Sequence, residues 1–303
     1  MNDDKKQGKS FIWQIVFAIA FVAFSENMLA GVVVLLIAVP LLIGARGNKI
    51  VAYLKKNTQN INPPIKDDLS PIVDKFFNLF LPQKSTRLEK RKKYLHIALN
   101  STLEEATEII GLLPASDRIL IEAGTPLIKI YGTEAISTIK QYAPAGTYIV
   151  ADNKCADLAE REVELMANAG ASATTCLGVA PVETINEFVA SCEKHGIDSI
   201  IDMMNVESAL AVLKKLKKLP TVVMLHRGVD ETEFSKEKQI PYYQIKQIKG
   251  SYNVLVAVAG GDSLKEVQRA LFNDADIVVV WKSFYQKTNE TAQLAASFLK
   301  EVK

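Results

Sequence analysis

Between Tyr94 and the C-terminus, short runs of Ile, Val, Leu and Ala alternate with longer stretches in which apolar residues recur every three or four positions. The short runs are Tyr94–Asn100, Arg118–Ala123, Thr147–Ala151, Ala171–Leu177, Ser199–Met204, Thr221–His226, Val254–Ala259 and Ile277–Val280. They are too short for helices and too continuously apolar for strands with one wet face, so they read as strands buried on both sides. Amphipathic helices are predicted after them, among them Val206–Leu216, Pro241–Lys249, Ser263–Phe272 and Glu290–Lys303. Ser101 and Thr102, followed by Glu104 and Glu105, cap the first helix. Eight strand–helix units in about 210 residues predict an α/β fold, a (β/α)8 TIM barrel. A doubly wound open sheet is the alternative, but eight consecutive units without a long excursion favour closure.

Upstream the pattern changes. Phe11–Phe24 and Met28–Ala45 are apolar runs separated by Ser25-Glu26-Asn27. The second is long enough to span a bilayer, which takes about 20 residues; the first spans with snorkelling flanks or local thinning. Lys5, Lys6 and Lys9 precede the first run, and Arg46, Lys49, Lys55 and Lys56 follow the second. The positive-inside rule puts both flanks in the cytoplasm. The expectation is a multi-pass hairpin with Glu26 outside and the barrel in the cytoplasm. A signal peptide followed by a single span is the rival. The predicted domains are a membrane anchor of two transmembrane helices over 1–47, a linker with an amphipathic helix over 48–93, and the barrel over 94–303. In the linker, Asn62-Pro63-Pro64 marks an extended break. Ser70-Pro71 starts a helix with Ile72, Val73, Phe76, Phe77 and Phe80 on one face, suited equally to protein or to the lipid interface. The run Arg87-Leu88-Glu89-Lys90-Arg91-Lys92-Lys93 reads as a solvated basic linker that a nearby anionic lipid surface would attract.

Composition narrows the classes. Lys+Arg 36 against Asp+Glu 34 gives a net charge of +2, too balanced for a nucleic-acid binder. Hydrophobic residues at 49% exclude wholesale disorder. Cys155, Cys176 and Cys192, an odd number in a long chain, suit a reducing compartment rather than a disulfide framework.

In a barrel of this kind chemistry belongs at the carboxyl ends of the strands. There the sequence places Asn100, Glu122, the string from Asp152 through Lys154 to Asp157, His226-Arg227-Gly228, Gly260-Gly261-Asp262 and Trp281-Lys282-Ser283. Taken singly, Asp157 reads as a helix cap, Glu122 as a rim charge and His226 as a core histidine. Their convergence on one face argues for a site.

Several strings carry a family resemblance: Ile121-Glu122-Ala123-Gly124-Thr125-Pro126-Leu127-Ile128-Lys129, the D-x-K-x-x-D at Asp152, Lys154 and Asp157, and Cys176-Leu177-Gly178-Val179-Ala180. Asp202 with Asn205-Val206-Glu207, His226-Arg227-Gly228-Val229-Asp230 and Val258-Ala259-Gly260-Gly261 continue the series. In this order, from about Tyr94 to the C-terminus, they resemble 3-hexulose-6-phosphate synthases. Those enzymes belong to the orotidine-monophosphate-decarboxylase-like suprafamily, as do 3-keto-L-gulonate-6-phosphate decarboxylases. The resemblance implies a lyase that adds formaldehyde to ribulose 5-phosphate, or releases it, through an enediolate. Such an intermediate favours a divalent cation, Mg²⁺ or another, on oxygen ligands. The resemblance implies Glu122 and Asp152 as that metal pair, Lys154 at the enediolate oxygen, and Asp157 reaching across a homodimer interface. His226 is the candidate for proton transfer, because imidazole titrates near neutrality. Gly260 and Gly261 would cradle the sugar phosphate on backbone amides, with Asn100, Arg227 and Lys282 as further substrate contacts.

The chain departs from the pattern in three places. Asn100 stands where the family ends strand 1 in Asp, Trp281-Lys282 where it has Gly-Gly or Gly-Arg, and Arg227-Gly228 is closer to the decarboxylases. Two alternatives therefore stand beside the synthase: a catalytically impaired membrane scaffold or sugar-phosphate sensor, and a decarboxylase-like enzyme.

Overall fold

The structure is a computed structural model and describes residues 87–235, 239–261 and 263–302. The apolar runs 11–24 and 28–45 and the helix expected from Ser70 lie outside these residues. Among the described residues no helix is long and apolar enough to cross a membrane.

Eight strands follow one another: β1 (Tyr94–Leu99), β2 (Ile119–Ala123), β3 (Tyr148–Cys155), β4 (Ala173–Leu177), β5 (Asp198–Asp202), β6 (Val222–His226), β7 (Leu255–Ala259) and β8 (Ile277–Val280). Each pairs in parallel with the next, and β8 returns to β1, closing the barrel. Alternation along each strand splits the apolar residues into two sets. Leu95, Ile97 and Leu99 of β1 face outward into the layer packed by the helices. Tyr94 and Ala98 face inward with Leu120, Val150, Ile200 and Met224. Both faces are covered, which is why the strands read as continuous apolar runs.

The helices are α1 (Leu103–Leu112), α2 (Thr125–Tyr131), α3 (Glu134–Tyr142), α4 (Ala159–Ala169), α5 (Val182–His195), α6 (Ala209–Leu213), α7 (Val229–Phe234), α8 (Tyr243–Ser251), α9 (Leu264–Phe272) and α10 (Thr291–Glu301). Thr102 caps α1, accepting from the Glu105 amide at 3.2 Å, as its spacing predicts. The β2–β3 connection holds two helices rather than one, broken at Gly132, whose φ of +62° suits glycine.

The basic run Arg87–Lys93 is not a solvated linker. Arg87 Nη1 lies 2.9 Å from Asp198, the buried first residue of β5. The same carboxylate accepts from the Tyr148 hydroxyl (2.9 Å), the Thr221 hydroxyl (3.2 Å) and the Leu88 amide (3.3 Å). Leu88 packs on the inward-facing core, Lys93 pairs with Asp274 (2.9 Å) and Asp276 (3.1 Å), and Lys92 pairs with Asp117. A buried carboxylate is costly unless paired and hydrogen-bonded. The acids at the amino ends of the strands collect this run, which forms the floor of the barrel.

Candidate active site

The opposite mouth is built around an irregularity in β3. The strand continues past Ala151 to Cys155, but its pairing with β4 shifts register between those residues. Lys154 takes a left-handed φ of +50°. Thr175 of β4 stabilises the distortion: its hydroxyl accepts from the Lys154 amide and donates to Asp152 Oδ1, both at 2.9 Å. The Thr125 hydroxyl, at the start of α2, donates to Asp152 Oδ2 at 2.7 Å. Lys154 Nζ then lies 3.0 Å from Asp152 Oδ2 and 3.0 Å from Oδ2 of Asp202, at the end of β5. Asp202 also accepts from the Met204 amide at 2.9 Å and lies 2.9 Å from Nδ1 of His226. The result is an unbroken line, Asp152–Lys154–Asp202–His226.

Charge follows from the geometry. Burial would raise the Asp202 pKa, but His226 and Lys154 outweigh it and hold the carboxyl at about 2. Burial would lower that of Lys154, but Asp152, Asp202 and Glu122 overcome it and raise the pKa above the usual lysine value. Burial would likewise lower His226, yet its contact with Asp202 leaves it raised. Lys154 is therefore a fixed cation. A carboxylate at Nδ1 favours the tautomer with the proton on Nδ1, which leaves Nε2 for proton exchange. A cavity of about 350 Å³ opens beside His226, lined by Asn205, Glu207, Arg227 and Tyr243 among others.

Glu122, on the inward face of β2, is 5% exposed. Its Oε2 lies 2.8 Å from Nε2 of His96, out of line for a hydrogen bond. Among the described residues no group of three or more His, Cys, Asp or Glu side chains is arranged to hold a metal ion. The donor chemistry of Glu122 and Asp152 nonetheless fits a cation that prefers oxygen and keeps several waters. Asp152 is braced by Thr125, Thr175 and Lys154, as ligating carboxylates usually are.

The remaining expected residues divide. Asn100 stands at the rim against Gly124, where a Cβ would come within 2.0 Å of its Oδ1 and 2.8 Å of the Leu99 carbonyl oxygen, so a side chain there would force a shift. Arg227 and Gly260 join the ends of β6 and β7: Nη2 donates to the Gly260 carbonyl at 3.2 Å. Gly260 has φ +104°, and a Cβ there would lie 2.5 Å from the Arg227 carbonyl. Gly261 leads into α9, which Ser263 caps. Trp281 packs on the inward-facing core and meets Tyr285 edge-on at 6.1 Å. Lys282 lies over the Trp281 ring, 5.6 Å from its centroid. Asp157 is exposed, and the structure does not bring its carboxylate to the Lys154 line.

The profile of the family described as Orotidine 5'-phosphate decarboxylase / HUMPS family matches residues 93–296. The chain belongs to that family. The bifunctional enzyme Fae/Hps of Methanocella arvoryzae is 40% identical over 224 residues, covering 73% of this chain and 56% of that protein. Its counterpart in Archaeoglobus fulgidus is 37% identical over 234 residues, covering 76% and 57%. The chain spans about half the length of these curated relatives. Among solved structures, 3-hexulose-6-phosphate synthase from Salmonella typhimurium superposes with a TM-score of 0.62 at 28% identity, covering 69% of this chain and 98% of that one. The 3-keto-L-gulonate-6-phosphate decarboxylase of Vibrio cholerae gives a TM-score of 0.58 at 19% identity, covering 70% and 97%, a likeness of fold alone. Membership of the family agrees with an enzyme of the lyase or decarboxylase type.

Four members of this family site escape a residue-by-residue reading of the sequence. Asp202 lies within a quoted family string, but its role as the link between Lys154 and His226 needs two other strands to be placed. Thr125 and Thr175 are ordinary β-branched residues until β3 distorts between them. His96 shares the inward face of β1 with Tyr94 and Ala98, and that alternation was the available signal.

Proposed function

We propose that the barrel is a divalent-cation-dependent carbon–carbon lyase of the 3-hexulose-6-phosphate synthase type, joining formaldehyde to ribulose 5-phosphate or releasing it. The line Asp152–Lys154–Asp202–His226 carries this reading. Lys154 supplies a fixed positive charge where an enediolate oxygen develops, and its two carboxylates hold it in place without deprotonating it. His226 moves the proton at Nε2 while Asp202 keeps Nδ1 occupied. Glu122 and Asp152 would hold the cation, which when bound supplies Lewis-acid stabilisation of sugar oxygens. The names of the Fae/Hps relatives and of the Salmonella synthase support the choice of substrate class.

The test is turnover by the full chain. Formaldehyde should disappear with ribulose 5-phosphate and Mg²⁺, and excess EDTA should stop it. Absence of formaldehyde uptake or release across a panel of ketose phosphates with Mg²⁺ overturns the reading. Carbon dioxide release from 3-keto-L-gulonate 6-phosphate instead would favour the decarboxylase, to which Arg227-Gly228 is closer.

Two further parts of the reading rest on sequence. The runs 11–24 and 28–45, with basic flanks on both sides, support a membrane anchor that leaves the barrel in the cytoplasm. The full chain should then stay with membranes through an alkaline wash. The family resemblance of the loop after β3, in which Asp157 is exposed, supports a homodimer in which Asp157 reaches the partner's mouth. Cross-linking in detergent should give a dimer, and an active monomer would remove that role from Asp157.

A further inference from the structure

We infer that His96 is a positioning residue for Glu122 and sets how tightly the mouth of the barrel holds a divalent cation. The inference rests on the reading of Glu122 as a cation ligand and goes beyond it. His96 is 1% exposed, so it cannot touch a substrate and acts only through its neighbours. It sits on the inward face of β1 between Tyr94 and Ala98, beside Leu120, its partner in register on β2. An imidazole among such residues is costly unless a polar group answers it. The polar group beside it is the Glu122 carboxylate, 2.8 Å from Nε2 though off the hydrogen-bond line.

The two candidate cation ligands are held very differently. Asp152 has three braces, from Thr125, Thr175 and Lys154, on both oxygens. Glu122 rests on His96, and the contact is off the hydrogen-bond line. A carboxylate held at one oxygen keeps freedom about its last torsion. A polar ring nitrogen 2.8 Å from that oxygen limits which lone pairs turn to the mouth. Partners of ligating groups typically change metal affinity by about 10–100-fold when removed. Asp152 keeps two braces when any one is lost. Glu122 is sensitive to the loss of His96.

The experiment uses the full chain with Mn²⁺ alone as the probe, following free Mn²⁺ by electron paramagnetic resonance. His96→Gln keeps an N–H donor, and His96→Leu has nearly the size of the glutamine without the donor. The leucine variant should bind Mn²⁺ about tenfold or more weakly. The Mg²⁺ needed for half-maximal turnover should rise by the same factor, while KM for the sugar phosphate at saturating Mg²⁺ stays within about twofold. The glutamine variant should bind Mn²⁺ within about threefold of the wild type. Wild-type affinity in His96→Leu overturns the inference, as does an equal loss in both variants, which would make His96 a packing residue. Should the leucine variant not fold, His96→Met gives the same comparison. Wild-type protein that turns over sugar phosphate with no divalent cation overturns the cation reading itself, whatever the variants do.

Discussion

Strand β5 begins and ends with a buried aspartate, Asp198 at the floor of the barrel and Asp202 at its mouth. Burial is the same at the two ends; the partners differ. Asp198 is answered by Arg87, Tyr148, Thr221 and the Leu88 amide. Guanidinium keeps its proton at any working pH. Burial and then Asp198 itself push the Tyr148 hydroxyl well above its ordinary pKa. Neither that hydroxyl nor a guanidinium exchanges a proton near neutrality. Asp202 is answered by Lys154 and His226, a fixed cation and a group that titrates in the useful range. A buried carboxylate is a structural rivet or, on the proposed reading, a relay between reactive groups, according to what it holds.

The sharpest test of the contrast is at the mouth. Lys154→Ala should cost about 10³-fold in kcat/KM, about 4 kcal/mol of transition-state stabilisation, against a smaller loss of unfolding stability, because Asp202 keeps His226 and the Met204 amide and Asp152 keeps both threonines. Equal losses of activity and stability would erase the distinction between the two ends. At the floor the signs reverse. Asp198→Ala strands several donors and should lower unfolding stability by about 3 kcal/mol in urea titrations, with kcat of the folded protein unchanged. Arg87→Ala removes a half-exposed partner and leaves the other three, so about 1 kcal/mol is expected.

The smallest effect is on the pH dependence of stability. His226 has a raised folded-state pKa, so its contribution is complete below the unfolded value of about 6.5 and is lost as pH rises through the folded value. Asp202 is lowered to about 2, so its contribution is present above the unfolded value near 3.9 and is lost as pH falls through about 2. The pair therefore stabilises most between about pH 4 and 6.5. Urea midpoints measured from pH 6 to 9 should decline less steeply in His226→Gln than in the wild type. Identical slopes would show that the Asp202–His226 contact contributes nothing to the fold.

The eight strands were legible because parallel strands covered on both faces leave long apolar runs, and seven of them end within two residues of the expected place. β3 is the exception: the pattern stops at Ala151, where polar Asp152 begins, but the strand runs on to Cys155. Polar side chains at a barrel mouth break the apolar signal without breaking the backbone. The mouth residues Glu122, Asp152, Lys154 and His226 were visible as residues, since reactive types stood at strand ends. Their connections were not, because Asp202, Thr125, Thr175 and His96 enter through contacts between strands far apart in sequence. The floor was misread for a related reason. Arg87–Lys93 has the composition of a solvated linker, and nothing local reveals the buried acid it serves.

Closure of the ring by β8 against β1 also governs the order in which this protein can be made. Lys93, just before β1, meets Asp276, just before β8, across 183 residues of chain. At about 5–20 residues per second, a ribosome takes roughly 10–40 s to produce the second after the first. For that interval β1 has a neighbour on one side only, and its outer backbone is an open edge able to recruit another strand. The floor acids Asp274 and Asp276 emerge in the same last stretch, so the lysines that will meet them also wait. A nascent chain stalled within α9 would hold seven strands with both edges bare, and that is where a chaperone would find it.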